Sequence, residues 1–140
     1  LKESSGKNMS IVIISADLDG LKHINDTFGH TEGDNAITTV GKALVSSAIQ
    51  GEVCSRFGGD EFTVAGVIAD SDSCYFDSFR FRFREYLHRY NSISHKPYQV
   101  ESSIGFCIQP MDKNVDLDQM IKVADDRMYE DKIQRRKARK

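Results

Sequence analysis

The stretch Arg56-Phe57-Gly58-Gly59-Asp60-Glu61-Phe62 constrains this chain more than any other, because it forces a reversal between two strands. Upstream, Val53, Ser55 and Phe57 alternate with Cys54 and Arg56. Downstream, Phe62, Val64 and Val67 are the aromatic and β-branched types that strands favour. The Gly58-Gly59 pair supplies the positive φ angles of a tight hairpin turn. Two adjacent carboxylates, Asp60 and Glu61, then stand where the chain re-enters a strand. Neighbouring acids repel one another unless a cation lies between them. A solvated acidic turn has the same composition, so the rest of the chain must decide what this one is.

Residues 1–10 read as a polar lead-in, followed by Ile11-Val12-Ile13-Ile14, an apolar run without turn signals. Such a run marks a strand buried on both faces, hence central in a sheet. It ends in Ser15-Ala16-Asp17-Leu18-Asp19-Gly20, and buried acids at a strand end need a cation or several hydrogen bonds. A short helix carrying Lys22, Asn25 and Asp26 follows, with Gly29-His30 as its end. Thr31 to Asp34 leads into a longer helix with Ala36, Ile37, Val40, Ala43, Leu44 and Ala48 inward and Asp34 in its first turn.

Beyond the hairpin and an acidic link at Asp70 to Ser73, Phe76, Phe79, Phe83, Leu87 and Tyr90 recur at helical spacing. The run from Phe79 to Arg84 also alternates at strand period, but the apolar stripe outlasts it and only Phe81 falls off the helical face. Tyr98, Val100, Ser102, Ile104, Phe106 and Ile108 alternate as a half-buried strand. Asp116 can cap a last helix whose inner face is Leu117, Ile121, Ala124 and Met128. The order predicts an α+β fold, a central, mostly antiparallel sheet flanked by helices on the split βαβ (ferredoxin- or palm-like) plan, as one domain over residues 1–140.

Composition narrows function by exclusion. A net charge of −2 gives no general drive toward nucleic acid, although residues 132–140 are basic through Lys132, Arg135, Arg136, Lys137, Arg139 and Lys140. No apolar run approaches the length of a membrane span and no signal peptide is evident, so a cytoplasmic domain without membrane contact is expected. Cys54, Cys74 and Cys107 are widely spaced and odd in number, as reduced and mostly buried thiols would be. Asp17 to Gly20 is not an EF-hand, whose glycine stands sixth and glutamate twelfth; here the glycine is fourth and Phe28 is twelfth. Gly41-Lys42 is not a Walker A loop, since Ala36 replaces the earlier glycine and Ala43 the Ser or Thr.

If the hairpin pairs beside the central strand, Asp60 and Glu61 approach Asp17 and Asp19, an oxygen set suited to Mg²⁺ shared with phosphates. Amides at Gly20 and Leu21 could hold phosphate at a helix start, with Lys22 beside them.

The ordered pattern of Asp17, Asp19, Lys22, Asn25, Asp26, Gly29, His30, Gly33 and Asp34, followed by Arg56 to Phe62, resembles the GGDEF family of bacterial diguanylate cyclases. Ser103-Ile104-Gly105 and Ala124-Asp125, Met128-Tyr129 and Lys132 are also similar to that family. The resemblance implies condensation of two GTP into cyclic di-GMP with release of two pyrophosphates. It implies Asp17, Asp60, Glu61 and the Leu18 carbonyl as metal ligands, for Mg²⁺ or Mn²⁺, two ions per half-site. Asp60, Glu61 and Lys22 become the catalytic positions, with Glu61 assisting at the metal or activating the 3′-hydroxyl. Asn25 and Asp34 would read guanine; Gly20, Leu21, Lys22, Lys132 and Arg136 would face phosphate; Gly58 and Gly59 would let the backbone approach the nucleotide.

Catalysis would require a transient antiparallel homodimer. A sensor or receiver domain would be fused to it, and a membrane-anchored sensor would keep this part cytoplasmic. The family's usual opening, Asp-x-Leu-Thr-x-Leu-x-Asn-Arg, has no match here, so a fragment of a longer signalling protein, without its N-terminal helix and sensor, is expected. Leu21 stands at a frequent Phe position, and Asp131 and Arg135 stand where Ala and Gly are commoner. Ile49 and Glu52 occupy the Arg and Asp positions of the product-inhibition motif, so no such inhibitory site is expected. The alternative is a catalytically silent module that binds GTP or a partner protein.

Overall fold

The computed structural model describes residues 8–69 and 73–138. Most of the expected lead-in, Asp70 to Asp72 of the acidic link, and Arg139 and Lys140 of the basic tail lie outside these residues. The chain runs β1 (Met9–Leu18), α1 (Leu21–Phe28), α2 (His30–Ser47), β2 (Val53–Phe57), β3 (Glu61–Ala69), α3 (Tyr75–Ser94), β4 (Ser102–Pro110) and α4 (Leu117–Ala138). One four-stranded sheet has the order β2-β3-β1-β4, and every neighbouring pair is antiparallel. This is the split βαβ plan, with the apolar run from Ile11 in the central strand.

Period-two alternation along β1 builds a layer on each face. Val12, Ile14, Ala16 and Leu18 join Ile24, Ile37, Val40, Leu44, Phe79, Phe83 and Leu87 beneath α1, α2 and α3. Ile13 and Cys107 join Met120 and Ala124 beneath α4. Phe79 and Phe83 are wholly buried, each contributing roughly 2 to 3 kcal/mol of burial free energy. Phe81 points outward at 66% exposure, as the helical stripe predicts. The arginines between the phenylalanines serve the helix packing: Arg82 donates to the Ser47 carbonyl at 3.2 and 2.8 Å, satisfying an open carbonyl at the end of α2.

Several boundaries and faces differ from expectation. Met9 and Ser10 are already strand, held by pairing to Ala69 and Ile68. Gly29 does not end in a linker: its N–H closes α1 on Asn25 O at 2.9 Å, and its carbonyl accepts from Gly33 N–H at 3.1 Å to open α2. His30 therefore begins a helix, and the acid of the first turn is Glu32, with Asp34 further in. Asp116 caps α4 through Gln119 N–H at 3.2 Å. The inner face of α4 is Met120, Ala124 and Met128, whereas Leu117 is 51% exposed in the first turn. Tyr98 and Val100 are buried ahead of β4, and Ser102 to Gly105 are covered on both faces because α4 packs across this half. Cys107 is buried, Cys54 half-buried and Cys74 exposed, which corrects the expectation of mostly buried thiols.

Candidate active site

The register of the sheet brings the acidic hairpin to the end of the central strand. Asp17 on β1 stands opposite Glu61 on β3 and Ser103 on β4. Leu18 N–H donates to the Asp60 carbonyl at 3.1 Å, and Asp19 N–H to the Glu101 carbonyl at 2.8 Å. The turn itself uses one left-handed glycine: Gly58 has φ 73°, while Gly59 is not among the positive-φ glycines, contrary to expectation. Arg56 secures the tip by donating to the Gly59 carbonyl from Nε at 3.2 Å and Nη2 at 2.9 Å.

Asp17 is the electrostatic centre. Its Oδ2 accepts from Lys132 Nζ of α4 at 2.5 Å, while its Oδ1 is buried without a hydrogen-bond partner. Burial pushes its pKa up to about 6, opposed by the Lys132 hydrogen bond and reinforced by repulsion from the neighbouring Asp60 carboxylate. Holding two carboxylates together and leaving one oxygen unsatisfied is costly without a cation.

Asp19 turns to β4 and α4: Ser103 Oγ donates to Oδ1 at 2.8 Å and Arg135 Nε to Oδ2 at 3.1 Å. Asp60 thus lies beside Asp17 and Glu61 is the register partner of Asp17 on β3, whereas Asp19 forms part of an adjacent wall. That wall belongs to a cavity of about 150 Å³ lined by Asp19, Gly20, Lys132, Arg135 and Arg136. Three cations and the N-cap of α1 face one small space, an arrangement suited to phosphate oxygens. A roomier cleft of about 610 Å³ between α2 and α3 contains none of the expected site residues.

The base-reading candidates lie on the helix pair. A Cβ on Gly33 would meet Asn25 Oδ1 at 1.8 Å, so the glycine makes room for that carboxamide, and exposed Asp34 follows it on α2. Lys22, in the first turn of α1, is exposed and paired with Asp26 at 2.9 Å. Leu21 packs against the main core. Glu52 accepts from Tyr75 OH at 2.5 Å and Gln50 N–H at 2.6 Å, and Ile49 is 64% exposed.

Among the described residues no group of three or more His, Cys, Asp or Glu side chains is disposed to hold a metal ion. The donors at the end of β1 nevertheless fit one of the Mg²⁺ type, which takes one or two carboxylates and completes its shell with water and phosphate. The open Asp17 Oδ1 beside Asp60 is the observation that supports this fit.

A family model described as "Diguanylate cyclase, GGDEF domain" matches residues 1–138. The chain belongs to the GGDEF family. Its domain is 34% identical over 123 residues to the probable diguanylate cyclase DgcJ of Escherichia coli K12, covering 88% of this chain and 23% of that protein. It is 33% identical over 131 residues to the diguanylate cyclase DgcP of the same organism, covering 93% and 38% respectively. The chain thus spans well under half of these relatives' length. An EAL/GGDEF domain protein from M. capsulatus superposes with a TM-score of 0.75 at 25% identity, covering 89% of this chain and 79% of that one. The GGDEF domain of DgcB from Caulobacter crescentus, solved with c-di-GMP, gives 0.71 at 23% identity over 95% and 77%, a likeness of fold.

The GGDEF fold explains why the motif residues meet where they do. Two participants in the site escaped the sequence reading: Ser103 as a partner of Asp19, and Arg135 as part of the cavity wall. Arg135 lies three residues after Lys132 on the same helix face, the spacing that could have flagged it. No helix among the described residues is long and apolar enough to cross a membrane.

Proposed function

We propose that this GGDEF domain is a diguanylate cyclase that joins two GTP molecules into cyclic di-GMP and releases two pyrophosphates. The observation that carries the proposal is the buried, partnerless Asp17 Oδ1 beside Asp60 at the end of β1, with Lys132 on the other oxygen. Asp17, Asp60, Glu61 and the Leu18 carbonyl would hold Mg²⁺ or Mn²⁺, two ions per half-site. When bound, the metal supplies charge neutralisation at the α-phosphate and lowers the pKa of the attacking hydroxyl.

The chain's own groups do the rest. Lys132 and Arg136, with the amides at Gly20 and Leu21, hold the phosphate chain and the departing pyrophosphate. Lys22 joins them by exchanging Asp26 for phosphate, an inexpensive exchange because both members of that ion pair are exposed to water. Asn25 and Asp34 fix the base, the carboxylate accepting from guanine N1–H and the 2-amino group. Gly58 and Gly59, with open space around their Cβ positions, let the nucleotide approach the turn. Glu61, exposed opposite Asp17, is available to take up the proton of the 3′-hydroxyl.

One domain holds one GTP, so each bond forms only when a second domain, antiparallel to the first, brings its 3′-hydroxyl to the α-phosphate. A fused sensor or receiver domain would control that encounter, and the domain would work in the cytoplasm. The test is incubation with GTP and Mg²⁺ across a wide range of protein concentration. Cyclic di-GMP should rise faster than linearly with protein and vanish in Glu61→Gln. A folded sample that binds GTP but yields no product would replace this proposal with the silent binding module.

Gly33→Ala tests the guanine-reading half of the site. The new methyl must displace the Asn25 carboxamide, the mobile end of a side chain, so the fold should survive. Helix propensity even favours alanine over glycine by about 1 kcal/mol. We expect the midpoint of thermal unfolding to hold or rise while GTP affinity falls by about tenfold, or about 1.4 kcal/mol. Affinity for inorganic triphosphate, which has no base, should not change.

A further inference from the structure

We infer that Arg135 is a positioning residue for polyphosphate binding, acting through Asp19. The inference rests on the proposed GTP site and deepens it. Arg135 is 24% exposed in the cavity wall, donates from Nε to Asp19 Oδ2 at 3.1 Å, and places Nη2 3.6 Å from Glu101 Oε1. Asp19 lines the same cavity as Gly20, Lys132 and Arg136. A carboxylate in that wall repels an incoming phosphate, and the repulsion is strong where water is partly excluded.

Arg135 offsets this in two ways. Its charge neutralises Asp19, and its planar guanidinium holds the carboxylate toward β4, where Ser103 Oγ donates to Oδ1 at 2.8 Å. The backbone reinforces the same geometry, since Asp19 N–H donates to the Glu101 carbonyl at 2.8 Å. The turn carrying Gly20 is thereby tied to the α4 turn carrying Lys132 and Arg136. One turn earlier on the same face of the helix, Asp131 Oδ2 accepts from Arg84 Nη2 at 3.1 Å and from Ile104 N–H at 2.9 Å, a further tie to β4. Arg135 thus makes the potential in the cavity more positive and ties its two walls together.

The experiment is calorimetric titration of GTP and of inorganic triphosphate, with Mg²⁺, into the wild type, Arg135→Ala, Arg135→Lys and the double variant Arg135→Ala with Asp19→Asn. We expect Arg135→Ala to weaken both ligands by about tenfold, the worth of a charge-assisted hydrogen bond. Arg135→Lys should recover most of the loss by restoring the charge. The double variant should recover most of it too, because the carboxylate that needed neutralising is gone.

A merely structural role predicts the reverse for the double variant, which lacks the ion pair altogether. Unchanged affinity in Arg135→Ala overturns the inference. So does a loss that persists in the double variant, which would make Arg135 a direct phosphate ligand, or a loss seen with GTP but not with triphosphate. A wild type that binds neither ligand overturns the GTP site itself and this inference with it.

Discussion

Gly105→Val is expected to destabilise the domain by about 3 kcal/mol or more and to pull Lys132 away from Asp17. A Cβ at Gly105 would lie 2.2 Å from Met128 N, 2.5 Å from Ala124 O and 2.7 Å from Arg127 C. All three are backbone atoms of α4, so no side chain can swing aside to relieve the overlap. The helix has to lift from β4, and the small layer of Ile13, Cys107, Met120 and Ala124 opens with it. Lys132 follows Met128 by one turn, so its 2.5 Å contact with Asp17 is lost in the same movement. Urea denaturation should show an earlier midpoint for Gly105→Ala and a far earlier one for Gly105→Val. A wild-type midpoint for valine would mean that β4 and α4 do not pack as described.

Asp17→Asn is expected to stabilise the metal-free domain at neutral pH by about 2 kcal/mol while abolishing nucleotidyl transfer. The folded chain holds the Asp17 proton up to about pH 6, against an ordinary 3.8. Between those values the folded state binds more protons than the unfolded one, so stability falls as pH rises. The contribution of the protonated carboxyl is fully present below about pH 3.8 and lost as pH passes through about 6. Asparagine keeps the shape, removes the titration and can still accept from Lys132.

Urea midpoints of both proteins in EDTA, from pH 4.5 to 7.5 (roughly the span of that titration), should diverge as pH rises. A difference independent of pH would refute the account. Adding Mg²⁺ at neutral pH should stabilise the wild type and leave Asp17→Asn unmoved, since the cation satisfies the oxygen that burial leaves open.

Together the two substitutions separate the roles of this region. Gly105 is a packing device that brings a helix backbone against a strand, and the lysine reaches the carboxylate only because that approach is close. Asp17 is held at a cost to the fold, and a buried carboxylate with a raised pKa and an unpartnered oxygen marks a candidate functional site.

The sequence by itself determined the local and periodic features. A continuous apolar run at Ile11 to Ile14 pointed to a doubly covered strand, and Gly58-Gly59 between strand patterns to a reversal of the chain. The stripe from Phe79 to Leu87 favoured helix over the strand alternation of Phe79 to Arg84, because the helical period runs on beyond that hexamer. The ordered acidic and glycine motifs were likewise readable, since they lie in short stretches. Contacts between distant stretches were decided by the tertiary structure.

Which residue of α4 faces the sheet, Met120 or Leu117, depends on where the helix crosses β4, and that is set by the notch at Gly105. The turn between α1 and α2 shrank to Gly29 because its N–H and carbonyl serve both helices. The pairing of Lys132 with Asp17 and of Arg135 with Asp19 joins groups more than a hundred residues apart, and no local pattern encodes it. A carboxylate's partner, and so its charge and its use, is chosen by the packing of elements that propensity and periodicity describe only one at a time.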